Sequence, residues 1–190
     1  MKLSNLFLVL LAAFALGFSA CSSDDSTSTD TTTTTAVIWD KTDGAGATCL
    51  VESNTSPVNY YAAYWTIDGT SIGETWISYG TDSTCATASA AWQRGESGTL
   101  ANQTDTSLDI TFTTVTLTIL NDAGMTDRGS YCSLTWVLDV AQEVTTCPEV
   151  EADNGTYPVT YTGIPHSLSA DGTTWTWMGG TSDEMVLVKR

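Results

Sequence analysis

Among the side chains able to do chemistry, the cysteines are spaced most unevenly. Cys21 stands alone near the N-terminus, while Cys49, Cys85, Cys132 and Cys147 are spread through the rest of the chain. None are in the CxxC spacing of a zinc or redox site, and His166 is the single histidine, so no metal centre is expected. Four cysteines in an oxidising compartment predict two disulfides. If the chain reverses about Asp139-Val140, Cys132 faces Cys147, which pairs those two and leaves Cys49 with Cys85. Each bridge would contribute about 3 kcal/mol by restricting the unfolded chain. Paired cysteines are not nucleophiles, so cysteine catalysis is not expected either.

Other catalytic patterns are scarce. His166 follows Pro165 in a predicted loop, and no GxSxG elbow accompanies it. With 22 acidic residues, a glycosidase-like carboxylate pair is not singled out by counting. Glu149, Glu151 and Asp153 read as a solvated loop, and Asp40-Lys41-Thr42-Asp43-Gly44 sets two carboxylates beside a glycine without the spacing of an EF-hand. The expectation is a non-catalytic protein with no cofactor. The aromatic residues offer a better lead. All seven tryptophans lie beyond residue 36, and Trp175 and Trp177, two apart, must share one face of a strand, as must Tyr157, Val159 and Tyr161. Trp175 and Trp177 are therefore the candidate ligand-binding residues, against the alternative that they fill a core.

The elements that would position them are strands. Thr, Tyr, Trp and Val alternate with small polar residues, and no stretch has the apolar spacing of a long helix. Strands are expected over 37–41, 58–67, 72–79, 86–93, 107–120, 131–139, 142–148, 157–162, 173–178 and 184–189. Asp68-Gly69, Asp122-Ala123-Gly124, Asn154-Gly155 and Asp171-Gly172 supply turns. Residues 36–190 thus read as a single all-β domain, an antiparallel β-barrel or a β-sandwich of roughly 8 to 10 strands. In the longest strand Leu108, Ile110 and Phe112 share one parity and Val115, Leu117 and Ile119 the other. A β-bulge at Thr113-Thr114 would return all six to one face and bend the strand, and two shorter strands with a kink between them would read the same way.

The N-terminus specifies an address. Lys2 is followed by an apolar run, Leu6 to Phe18, too short to span a bilayer, and then by Ser19-Ala20-Cys21. This resembles the lipobox of bacterial lipoprotein signal peptides. The resemblance implies removal of residues 1–20, acylation of Cys21 (palmitate among the chains) and attachment to the lipid bilayer. Residues 21–35 continue with a Ser/Thr/Asp segment lacking any apolar side chain, which reads as a disordered tether. Ser22 after the cysteine resembles the Gram-negative signal for the outer membrane. Ser22-Ser23-Asp24-Asp25 is similar to the acidic export tags of some surface lipoproteins, or is a plain solvated spacer. A lipid-anchored outer-membrane protein, periplasmic or surface-exposed, is the expected localisation. The net charge of −16 becomes one unit more negative when Lys2 is removed. Such a surface repels nucleic acid, which is not an expected partner.

The domain resembles the lipocalin-like domains of bacterial lipoproteins, in its run of about ten strands, the strand-turn-strand of Ser167 to Met178 and the final strand Met185 to Arg190. That resemblance implies an up-and-down barrel whose open end holds a small ligand, with Arg190 packed over Trp39. The expected function is a binding protein for a small hydrophobic ligand or a glycan. The alternatives are a structural or interaction protein of the outer envelope and, third, a glycan-acting enzyme.

Overall fold

The computed structural model describes residues 35 to 190 apart from 44, 53 and 54. Residues 1–34, with the expected leader, Cys21 and nearly all of the expected tether, lie outside the described residues. The elements, in chain order, are β1 (Val37–Thr42), β2 (Leu50–Glu52), β3 (Asn59–Asp68), β4 (Ser71–Ser78), β5 (Trp92–Ala101), β6 (Ser107–Ile119), α1 (Asp122–Arg128), β7 (Gln142–Glu143), α2 (Pro148–Asn154), β8 (Val159–Leu168), β9 (Thr174–Trp177) and β10 (Met185–Lys189). Every pairing is antiparallel. Strands β1, β3, β4, β5, β6, β8, β9 and β10 follow one another around a closed ring, with β1 bonded to both β3 and β10. Closure leaves no long unpaired edge. Of barrel and sandwich, the chain forms the barrel: eight strands wound up and down, with β2 and β7 added outside.

The two extra strands lie where neighbouring barrel strands part. β1 pairs with the second half of β3 and β2 with the first half. Likewise β8 pairs with the first half of β6, and β7 with Thr116 and Leu117 of its second half. The phase slip read in β6 is a bulge: the register with β5 shifts between Ser97 and Gly98, opposite Thr113, which is exposed. Leu108, Ile110, Phe112, Val115, Leu117 and Ile119 are all buried as a result. Gly98 is required there, since a Cβ at that position would stand 2.0 Å from the Thr111 carbonyl oxygen.

The bulge also divides the core. Before it, Leu108, Ile110 and Phe112 pack inside the barrel with Trp39, Trp65, Ile72, Leu100, Trp175, Trp177 and Leu187. After it, Val115, Leu117 and Ile119 pack against Trp136, Val144, Cys147 and Val150 of the long connection between β6 and β8. Three short hairpins, including those at Gly69 and Gly172 with positive φ, close one end of the barrel. The long connections gather at the other end.

Several expected strands are not strands. Residues 131–139 hold a short 3-10 turn (Tyr131–Ser133) and irregular chain, and the 142–148 stretch keeps only β7 before α2 begins at Pro148. Asp122–Gly124 opens α1, with Asn121 capping the Gly124 amide at 3.0 Å, and Glu149, Glu151 and Asp153 lie on α2 rather than in a loop. Cys132 bonds Cys147 and Cys49 bonds Cys85, as expected. The hairpin invoked for the first pair is absent: the disulfide joins the 3-10 turn to the residue just before α2. The 86–93 strand is displaced to β5, whose Arg94, Glu96 and glycines lack an apolar alternation.

Candidate ligand cavity

The barrel interior is not filled. A cavity of about 470 Å³ opens between the barrel core and the long connections. Its walls include Trp65, Trp76, Trp92, Trp177, Phe112 and Tyr161, and Glu52, Arg128, Asn154 and Met178 come from the end where the connections gather. Strand alternation explains the lining. Trp65 on β3, Glu74 and Trp76 on β4, and Arg94 and Glu96 on β5 all have the inward parity, and register sets Glu74 beside both Trp65 and Glu96.

Three charged groups therefore occupy the interior face of adjacent strands. Arg94 Nη2 contacts Glu96 Oε1 at 2.7 Å, with 20 % and 14 % of the two side chains exposed. Tyr157 donates to Glu96 Oε2 at 2.8 Å and accepts from Arg94 at 3.3 Å. Asn154, with its amide oxygen turned to the guanidinium, accepts from Nη1 at 3.0 Å. Burial, and then the carboxylate it bonds, raise the Tyr157 hydroxyl's pKa above its ordinary value. These contacts tie β5 to α2 and to the start of β8, across the seam between the two core clusters.

Glu74 is different. It accepts a hydrogen bond from the Trp76 indole, and among the described residues it makes no ion pair. Part of its surface is open, but onto the cavity rather than the outer solvent. Desolvation pushes its pKa from 4.5 to about 7; Glu96 adds to the rise, while the Trp76 hydrogen bond, Lys41 and Arg94 oppose it. At neutral pH the group is poised between acid and carboxylate.

The remaining cations near the cavity are held by aromatic faces. Lys41 lies 5.1 Å from the Trp76 ring centre and 5.6 Å from that of Tyr61. Arg128 lies 4.5 Å from the Trp92 ring centre and 5.3 Å from that of Tyr131, beside Asp127, which accepts the Trp92 indole hydrogen at 2.7 Å. Among the described residues, neither the Trp65 nor the Trp177 indole N–H finds an acceptor, though both are buried.

The residues singled out in the sequence fall into different places. Trp175 and Trp177 do share the inward face of β9, with ring centres 4.9 Å apart, but only Trp177 lines the cavity. Trp175 packs against Trp39 at 5.5 Å and donates to His166 Nδ1 at 3.1 Å. His166 is on β8, not in a loop, and its Nε2 meets the Thr104 carbonyl at 3.0 Å. Both ring nitrogens are therefore committed to structure. Arg190 packs over Tyr64 at 5.2 Å and bonds Asp40, so it does not cover Trp39, which points into the barrel. Asp40 is thereby engaged on the outer face. The cluster of possible metal ligands among the described residues is Cys132, Cys147 and Glu149, and its two cysteines are joined as a disulfide.

Glu74, Arg94, Glu96 and Tyr157 were not singled out in the sequence as site residues. The signal emerges only with the register: on β5 the inward positions are Trp92, Arg94, Glu96, Gly98 and Leu100, so polar residues stand where a filled barrel has apolar ones. Fold and site together define a closed eight-stranded barrel with an aromatic, partly charged internal cavity. No protein-family model matches the chain, and no curated protein matches it.

Proposed function

We propose that this chain is a lipid-anchored extracytoplasmic lipoprotein whose barrel holds a small, largely apolar ligand. The cavity carries the reading. Its volume of about 470 Å³ lies within the roughly 300–1,000 Å³ of small-molecule sites, and aromatic walls with a few convergent polar groups are what such sites use. A hydrophobic ligand is favoured over a glycan because none of the seven tryptophans is exposed, whereas flat glycan recognition needs them at the surface. Paired Arg94 and Glu96 give the ligand orientation rather than chemistry, and the anchor at Cys21 would hold the open barrel near a membrane.

Titration of the purified domain with the apolar dye phenylnaphthylamine, followed by energy transfer from tryptophan, tests the reading. One dye per barrel is expected, with weaker binding to Trp177→Ala that remains folded by circular dichroism. A folded protein that leaves the dye in water would refute a ligand-binding barrel and favour a structural role in the envelope.

A further inference from the structure

The charges around the cavity are unequally satisfied, and the inequality points to a ligand class. Among the described residues, every cation near the cavity has a partner for its charge, although the Nε–H groups of Arg94 and Arg128 make no hydrogen bond. Arg94 is committed to Glu96, Tyr157 and Asn154; Arg128 to two ring faces and Asp127; Lys41 to two ring faces and the Tyr61 hydroxyl at 3.4 Å. Glu74, in contrast, makes no ion pair among the described residues and has surface open to the cavity. The rings nearest it along the strands are those of Trp65, directly opposite in the β3–β4 register, and Trp76, two positions on. Trp177 meets Trp65 edge-on at 5.8 Å. Among the described residues no protein cation lies over the Trp65 or Trp177 ring.

We propose that the cavity selects an apolar molecule carrying one positive charge, an organic ammonium, whose cationic head is met by Glu74 and the indoles of Trp65 and Trp177. The inference rests on the ligand-binding reading above. A carboxylate beside indole faces is the combination that recognises ammonium groups, since the ring quadrupole attracts a cation while the carboxylate neutralises it. Apolar walls of Ile110, Phe112, Met178 and Met185 would take the rest of the molecule. The protein's net charge of −16 works in the same direction, concentrating cations and repelling anions at the mouth. An anionic ligand would have to displace Glu96 from Arg94 and would leave Glu74 facing it.

Binding then couples to protonation. Glu74 is faced by Glu96 and Arg94 from β5 and by Lys41 from β1, and it acts on Tyr161 of β8. An arriving cation favours the ionised carboxylate, so the complex releases a proton when it forms near neutrality, and affinity falls as the pH drops and Glu74 becomes protonated.

Three isosteric probes separate the possibilities: naphthylmethylammonium, naphthylmethanol and naphthoate, each measured by displacement of the dye and by calorimetry in two buffers of different ionisation enthalpy. At about pH 8 the ammonium should bind at least tenfold more tightly than the alcohol, and the naphthoate least. Glu74→Gln should lower the ammonium's affinity at least tenfold more than the alcohol's and abolish the proton release seen at about pH 7. Equal or tighter binding of the alcohol or naphthoate would overturn the inference while leaving the ligand-binding reading intact. A preference for the ammonium that survives Glu74→Gln would overturn it too. If neither the dye nor any probe binds the folded protein, the ligand-binding reading itself falls.

Discussion

Replacing Glu74 with Gln should stabilise the protein at alkaline pH and leave it unchanged in acid. The carboxyl group has an ordinary pKa of 4.5 and in the barrel one of about 7. Below the lower value both folded and unfolded chains hold the proton, and the group costs nothing. Between the two values the unfolded chain gives up its proton while the barrel keeps it, so stability drains away as the pH rises. Above about 7 the loss is complete. At about 1.4 kcal/mol for each tenfold change in proton affinity, the gap corresponds to about 3 kcal/mol, reduced to the extent that water entering the cavity solvates the carboxylate. Glutamine has the same shape and keeps an acceptor for the Trp76 indole, so it removes the ionisation and little else. Urea unfolding of both proteins, disulfides intact, at intervals from about pH 4 to about pH 8.5 measures the difference. The two should coincide at the acid end and diverge to about 2–3 kcal/mol at the alkaline end, with Glu74→Gln the more stable. A difference that stays flat with pH, or a wild type that gains on the variant above pH 7, would show that Glu74 is solvated or paired and would remove the basis for the charge argument at the cavity.

Other expected outcomes are structural. Cys21→Ala should shift the full-length protein from the detergent to the aqueous phase in a partition assay, because acyl chains would be its membrane attachment; unchanged partitioning would count against the lipid anchor. Trp175→Ala should cost about 3–5 kcal/mol in unfolding experiments while dye binding persists, since Trp175 packs in the barrel core and does not line the cavity; loss of dye binding by a folded variant would place it in the site. Gly98→Ala should lower stability by about 1–3 kcal/mol or more, because a Cβ there collides with the backbone at Thr111 and Phe112 opposite the bulge; a neutral substitution would mean the bulge relaxes freely. Removing the second disulfide with Cys132→Ser and Cys147→Ser should cost about 2–4 kcal/mol, and peptide mapping of the unreduced wild type should recover Cys49 linked to Cys85 and Cys132 linked to Cys147.

The sequence by itself determined the all-β architecture, because side-chain alternation with period two and Gly-bearing turns depend only on neighbours along the chain. It located the phase slip in β6 for the same reason, six apolar residues lying on two parities; that the slip is a bulge at Thr113 in one strand rather than a kink between two was decided by the pairing with β5. Both disulfide pairings were legible, yet the hairpin that argued for one of them does not exist, since Cys132 and Cys147 are brought together by the packing of a 3-10 turn on α2. Where residues gain their meaning from distant partners, local pattern was silent or wrong. Short helices α1 and α2 hold their shape by lying against β6 and each other's flanking chain, and too few residues carry a helical period to announce them. His166 looked unattached until β8 brought it to Trp175, and Arg190, expected over Trp39, is carried by barrel closure to Asp40 and Tyr64 instead. Only the tertiary structure decided that the barrel closes, that Trp177 faces a cavity while Trp175 fills the core, and that Glu74, Arg94 and Glu96 point inward. On β5 a run with charged and glycine residues reads as surface in one dimension. It becomes the wall of a cavity only when β4 and β6 fix which of its faces is inside.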